Sequence, residues 1–303
     1  MAGHGCARMP VPRPGAGVPC KVIDSHTHFY DPTRPQGVPW PERSDSLLYR
    51  KVLPADYRAL AQPLAVTGTV VIEASSWVED NQWILDLAAA DPFIVAFIGN
   101  LPVGASSFRP LLERFARNPL FRGLRVSGRA VMEGTNNGEF LAHLAELAER
   151  GLSLDVLGGP EGLLSVDQVA RRIPGLRIIL DHLAGVRING ETPSSEWREA
   201  MTRIAQRPNL FCKASGLVEA TGVAGRTAPG DVNYYRPTLE FVWDRFGEER
   251  LVYGSNWPVS ERFAEVAQVQ QIVRQFVSEK GDAAADRFFW QNARTVYRWV
   301  DRI

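Results

Sequence analysis

Three polar residues at alternate positions, Asp24, His26 and His28, close the run that begins Lys21-Val22-Ile23. Alternate side chains of an extended strand share a face, so the spacing predicts all three on one side, with Asp24 deeper and orienting an imidazole. Two imidazoles at a strand end can polarise a carbonyl, move a proton or hold a divalent metal. A His-x-His pair in isolation is equally compatible with a polar turn. The chain has only five histidines, however, and other apolar runs also end in polar groups: Glu73, Arg125, Ser127, Asp181-His182, Lys213, Ser215 and Ser255-Asn256.

The elements that must position these groups alternate. Short β-branched or apolar runs occupy 21–28, 68–75, 94–102, 121–128, 153–158, 177–183, 209–215 and 251–257. Between and after them, 54–62, 79–90, 107–117, 137–150, 161–172, 195–207, 236–247 and 260–279 carry apolar residues three and four apart. Eight strands each followed by a helix predict an α/β fold, a single (β/α)8 TIM barrel over residues 21–303. Chemistry in such barrels gathers at the C-terminal strand ends, where the polar residues above lie. Two long connections, 29–53 with Trp40 and 216–235 with Tyr234 and Tyr235, follow strand ends and can cover the mouth.

Lys plus Arg equals Asp plus Glu at 34 each, so charge points neither to nucleic acid nor to an anionic membrane. The expected partner is a small-molecule substrate, with a homo-oligomer left open. Cys6, Cys20 and Cys212 form no CxxC and no disulfide framework, which favours a reducing, cytoplasmic setting. Residues 1–20, rich in Pro and Gly, read as a flexible leader.

The motifs IDSHTHFYDP (23–32), RGLRVSG (122–128), LDHLAG (180–185), KASGL (213–217) and YGSNWPVS (253–260) together resemble the amidohydrolase superfamily. The similar branch contains sugar lactonases and 2-pyrone-4,6-dicarboxylate lactonase and, more distantly, aromatic decarboxylases. The resemblance implies hydrolysis of a small cyclic ester by attack of water on its carbonyl. It places His26 and His28 at the catalytic mouth, has His182 act on or orient the substrate, and has Arg125 bind an acidic or carbonyl group. One departure matters: the family's eighth strand usually ends Gly-Ser-Asp-Trp-Pro, and the Asp takes a proton from water. This chain has Asn256 there, and a neutral amide cannot be that base. Asn256 can instead donate to a developing oxyanion, or orient water through its carbonyl oxygen.

The remaining assignments follow with their rivals. Arg125 either grips substrate or pairs with Glu73 or Asp155. Glu73 is a counter-ion or a substitute base, and Lys213 is a substrate ligand or reaches solvent. Asp181, of opposite parity to His182, is expected in the helix layer, and His143 sits on an outer helix. A divalent metal, Zn or Mn, would use His26 and His28 with His182 in addition. The fifth strand carries no His, so catalysis without metal is the favoured reading. The rival functions are a metal-dependent decarboxylase and a non-catalytic binding protein.

Overall fold

In the computed structural model, which describes residues 21–302, eight strands pair in parallel in strict chain order. They are β1 (Val22–Thr27), β2 (Val66–Ile72), β3 (Ile94–Gly99), β4 (Phe121–Ser127), β5 (Ser153–Leu157), β6 (Arg177–Leu180), β7 (Leu210–Ala214) and β8 (Leu251–Tyr253). Just beyond β8 the chain returns to β1. The Asn256 N–H donates to the His26 carbonyl and the His28 N–H to the Trp257 carbonyl, each at 2.9 Å. The expected (β/α)8 barrel is therefore present. The leader read over 1–20, with His4, Cys6 and Cys20, lies outside the described residues.

All eight expected helices form, at Pro54–Ala61, Asp80–Ala90, Phe108–Ala116, Gly138–Glu149, Leu163–Arg172, Ser195–Ile204, Val232–Phe246 and Val266–Ser278. The fourth shows why. The Asn137 side chain accepts from the Glu139 and Phe140 amides and caps the first turn, while Phe140, His143, Leu144 and Leu147 bury one face at helical spacing. His143 is buried there, stacked on Phe108 at 4.2 Å between ring centroids and accepting from the Gly104 amide at 3.0 Å. The helix expected from 236 starts earlier, at Val232. Pro237 looks like a first-turn residue, but Asp231 caps the chain upstream by accepting from the Asn233 amide. Tyr234 and Tyr235 consequently belong to a helix, not to a loop. No helix of the described residues is long and apolar enough to cross a membrane.

Apolar residues pack in two shells. The outer one lies between strands and helices. The inner one fills the lower barrel with Ile23, Val70, Ile72, Val95, Ile179, Phe211 and Val252, sealed by Val296 and Tyr297 at the end of a C-terminal helix, Asn292–Tyr297. That helix was not anticipated.

β1 carries the one irregularity on which the site depends. Asp24 stands level with Thr69, and Thr27 with Val71, so three steps on β1 match two on β2. The extra residue is a β-bulge, and it inverts the inside–outside alternation. Ile23 below the bulge and His26 and His28 above it all face inward. Asp24 faces outward, which corrects the expected shared face. Its carboxylate accepts from Tyr57 on helix Pro54–Ala61 and from the His26 and Ser255 amides. It therefore holds backbone, not an imidazole ring.

Candidate active site

The floor of the site is a buried ion cluster. Lys213, fully enclosed, donates to Asp155 Oδ2 at 2.6 Å and approaches Asp181 Oδ1 at 2.8 Å and His26 Nδ1 at 3.2 Å. The Tyr297 hydroxyl rises from the C-terminal helix to Asp155 Oδ2 at 2.9 Å. Two expectations fail here. Lys213 reaches neither solvent nor an open cavity. Asp181 points into the barrel, because it keeps the parity of inward-facing Ile179. Burial pushes Asp155 up, to about 7, despite the Lys213 charge beside it. Burial also acts on Asp181, but Lys213 and then His26 outweigh it and hold that carboxyl well below its usual range. The ammonium stays charged: burial opposes it, and the two carboxylates raise it above its usual value.

Above the floor stand three imidazoles. His26 lies 5.0 Å from His28 and 4.5 Å from His182 between ring centroids. His182 swings into the mouth because the chain leaves β6 through left-handed conformations at His182, Leu183, Ala184 and Gly185, a turn that costs of order 1 kcal/mol or more at each non-glycine residue. Gly216, itself left-handed, lets the ring pass: a Cβ there would come within 2.9 Å of it. Gly254 does the same for His26, whose Cβ would lie 2.7 Å from an added methyl.

The partners of each ring constrain its tautomer. His26 Nδ1 lies between the Lys213 ammonium, 3.2 Å away, which donates to it when the ring hydrogen is on Nε2, and Asp181 Oδ1, 3.5 Å away, which favours the hydrogen on Nδ1. The Nε2 of this ring is buried and has no partner among the described residues. A carbonyl only accepts, so His28 Nδ1 carries the hydrogen toward Ile72 O, 3.0 Å away, and leaves a lone pair on Nε2. His182 Nδ1 engages the Ser215 hydroxyl at 2.8 Å. All three rings are held neutral. Burial, reinforced by nearby cations, pushes His26 well below its ordinary value, His28 to about 3 and His182 to about 4. The site thus offers an unpartnered buried nitrogen on His26, a lone pair on His28 Nε2 and a third neutral ring at His182.

Glu73 and Arg125 form an ion pair at the rim. Arg125 Nε donates to Glu73 Oε1 at 2.8 Å and Nη2 to the Glu73 carbonyl at 2.7 Å, so Glu73 is the counter-ion of Arg125 in this structure. Both residues line a cavity of about 480 Å³ with Ser75, Asn100, Ser127 and Leu157. Trp40 folds back over His28 at 6.0 Å. Trp257 is buried between Phe29 and Tyr57.

The end of β8 brings in a residue that sequence reading missed. Asn256, left-handed at φ 59°, places Oδ1 3.2 Å from His28 Nε2, while its Nδ2 donates to Glu219 Oε1 at 2.8 Å. One of its two amide hydrogens is thereby engaged by Glu219, and its carbonyl oxygen is turned to His28. Burial raises the Glu219 carboxyl to about 7. A lone Glu in a long loop carries no pattern; its only signal was a position six residues beyond Lys213.

The residues do not fit a resident metal. Among the described residues no three His, Cys, Asp or Glu side chains are arranged to hold one. The end of β8 offers an amide, Asn256, in place of a carboxylate.

A protein-family model described as Amidohydrolase matches residues 23–299. L-fucono-1,5-lactonase of Burkholderia ambifaria is 31% identical over 289 residues, spanning 92% of this chain and 96% of that protein. A zinc-bound amidohydrolase structure from Burkholderia multivorans superposes with TM-score 0.77 at 25% identity, over 92% of this chain and 99% of the other. A probable 2-pyrone-4,6-dicarboxylic acid hydrolase from Acinetobacter baumannii, with citric acid bound, shares the fold with TM-score 0.71 at 14% identity, over 92% and 99%.

Proposed function

Since the chain belongs to the amidohydrolase family, we propose that it hydrolyses a small lactone, of the sugar-acid class on which its L-fucono-1,5-lactonase relative acts. The observation that carries this reading is the buried His26 Nε2, which has no partner among the described residues, beside two neutral imidazoles. With the ring hydrogen on Nε2 it is a desolvated donor suited to an oxyanion that exists only during reaction. Arg125 steers the carbonyl or a neighbouring hydroxyl from the rim, while His28 or His182, both kept unprotonated at neutral pH, takes the proton from water. The ring C–O bond then breaks and the alkoxide is protonated, giving a hydroxy acid.

The reaction runs on protein groups in this reading, because among the described residues no three donors converge as a catalytic metal requires. A pH-indicator assay over sugar lactones and pyrone carboxylates tests both parts. Acid release insensitive to chelation is expected. A rate lost on chelation and restored by Zn²⁺ or Mn²⁺ overturns the metal-free mechanism, and no acid release from any lactone overturns the function.

A further inference from the structure

His28 Nε2 and Asn256 Oδ1 face each other at 3.2 Å, and neither atom has a hydrogen to offer. The Ile72 carbonyl takes the one ring hydrogen of His28, and Glu219 takes one amide hydrogen of Asn256, which holds Nδ2 on the far side of the amide. Two bare acceptors side by side repel until a donor alongside reaches both. A water molecule has two O–H groups and satisfies both at once.

We propose that Glu219 is a positioning residue that turns the Asn256 amide so that its carbonyl oxygen and His28 Nε2 together cradle the attacking water, replacing with two residues a single carboxylate at the end of β8. The inference rests on the lactone-hydrolysis reading for its chemistry, though not for its geometry. One water hydrogen passes to His28 Nε2 while the other stays on Asn256 Oδ1. The water oxygen attacks the lactone carbon, the ring C–O bond breaks, and the proton on His28 returns to the leaving alkoxide. The sum is addition of one water.

Glu219 is suited to this task by its place in the fold. It opens the short turn Glu219–Thr221 directly after β7, so the strand that carries Lys213 also anchors the carboxylate. Its second oxygen, Oε2, is shut off from solvent and has no partner among the described residues, so the carboxylate's one hydrogen bond goes to Asn256. In its ionised form Glu219 accepts only, and this fixes which end of the amide turns away from it. Without it the amide is free to rotate and give an N–H to His28 Nε2, which would close the cradle.

The test is a charge transfer between the two positions. Glu219→Ala and Glu219→Gln should lower kcat about 10- to 100-fold, the usual cost of losing an orienting partner, while KM changes less than about threefold, since ground-state substrate contacts are untouched. Adding Asn256→Asp to the Glu219→Gln chain should recover about tenfold or more, because a carboxylate at 256 presents an acceptor in any orientation. A kcat within about twofold of the parent in both single variants, or no recovery in the double variant, overturns the proposal. A readout independent of turnover is the Asn256 side-chain amide in ¹⁵N NMR of the substrate-free protein, assigned by its loss in Asn256→Asp. Its hydrogens should be protected from exchange in the parent and released in Glu219→Ala. Unchanged protection overturns the proposal even if no lactone is turned over, whereas failure of every lactone with the amide behaving as expected removes only the hydrolase reading.

Discussion

The floor and the rim of this barrel mouth use the same residue types to opposite ends. On the floor, Lys213 lies between Asp155 and Asp181 with Tyr297 beneath. One ammonium faces two carboxylates there, and all three groups are buried. At the rim, His26 Nε2 has no partner, His28 Nε2 faces another acceptor, and Arg125 opens on a cavity. Both regions hold groups shifted far from their usual pKa, so a perturbed pKa alone does not mark the chemistry. What separates them is charge: the floor sets an ammonium among carboxylates, some of whose oxygens still lack hydrogen-bond partners among the described residues, whereas the mouth above it presents neutral imidazole nitrogens to a guest.

The sharpest test of this division removes the floor's cation. Lys213→Met should cost about 3–5 kcal/mol, because two buried carboxylates lose their counter-charge. Urea denaturation reads the loss, and a small shift would mean that the cluster is wetter or looser than its geometry. At the rim the effect moves from stability to rate. His182→Ala should lower kcat about 10²- to 10⁴-fold with little change in denaturation midpoint, and unchanged turnover would remove His182 from the mechanism.

Acid separates the regions further. His28 and His182 have folded pKa values near 3 and 4, below the ordinary 6.5. Their neutral forms thus contribute stability that is present above 6.5 and is lost as pH falls toward those values. The loss is roughly 1.4 kcal/mol per pH unit per ring. Asp155 and Glu219, raised to about 7, work in the opposite direction, so the contribution of one ring appears in a difference: parent minus His182→Gln should decline between pH 6.5 and 4. A flat difference would show that the ring is solvated. The smallest expected effect belongs to Tyr297→Phe. It should cost about 1 kcal/mol for one hydrogen bond and leave kcat unchanged; a large rate loss would mean that floor and rim are coupled.

Much of this was legible in the chain. Val22-Ile23, the run at 177–180 and the apolar periodicity of 138–149 each encode an element through local burial, so eight strand–helix units could be counted directly. Residues at strand ends identified the mouth, and His26, His28, His182, Arg125 and Asn256 all lie there. The C-terminal plug was harder to see, because its apolar face is meaningful only once there is a barrel bottom to seal.

The sequence by itself determined the alternation of elements, and with it the barrel and the ring of polar strand ends, because hydrophobic periodicity is a local property. Tertiary structure alone decided which way those side chains point. A one-residue bulge reversed Asp24 relative to His26, a left-handed turn brought His182 inward beside Asp181, and loop closure carried Glu219 to Asn256. Each depends on register or on contacts between residues distant in the chain, and neither residue type nor spacing records those.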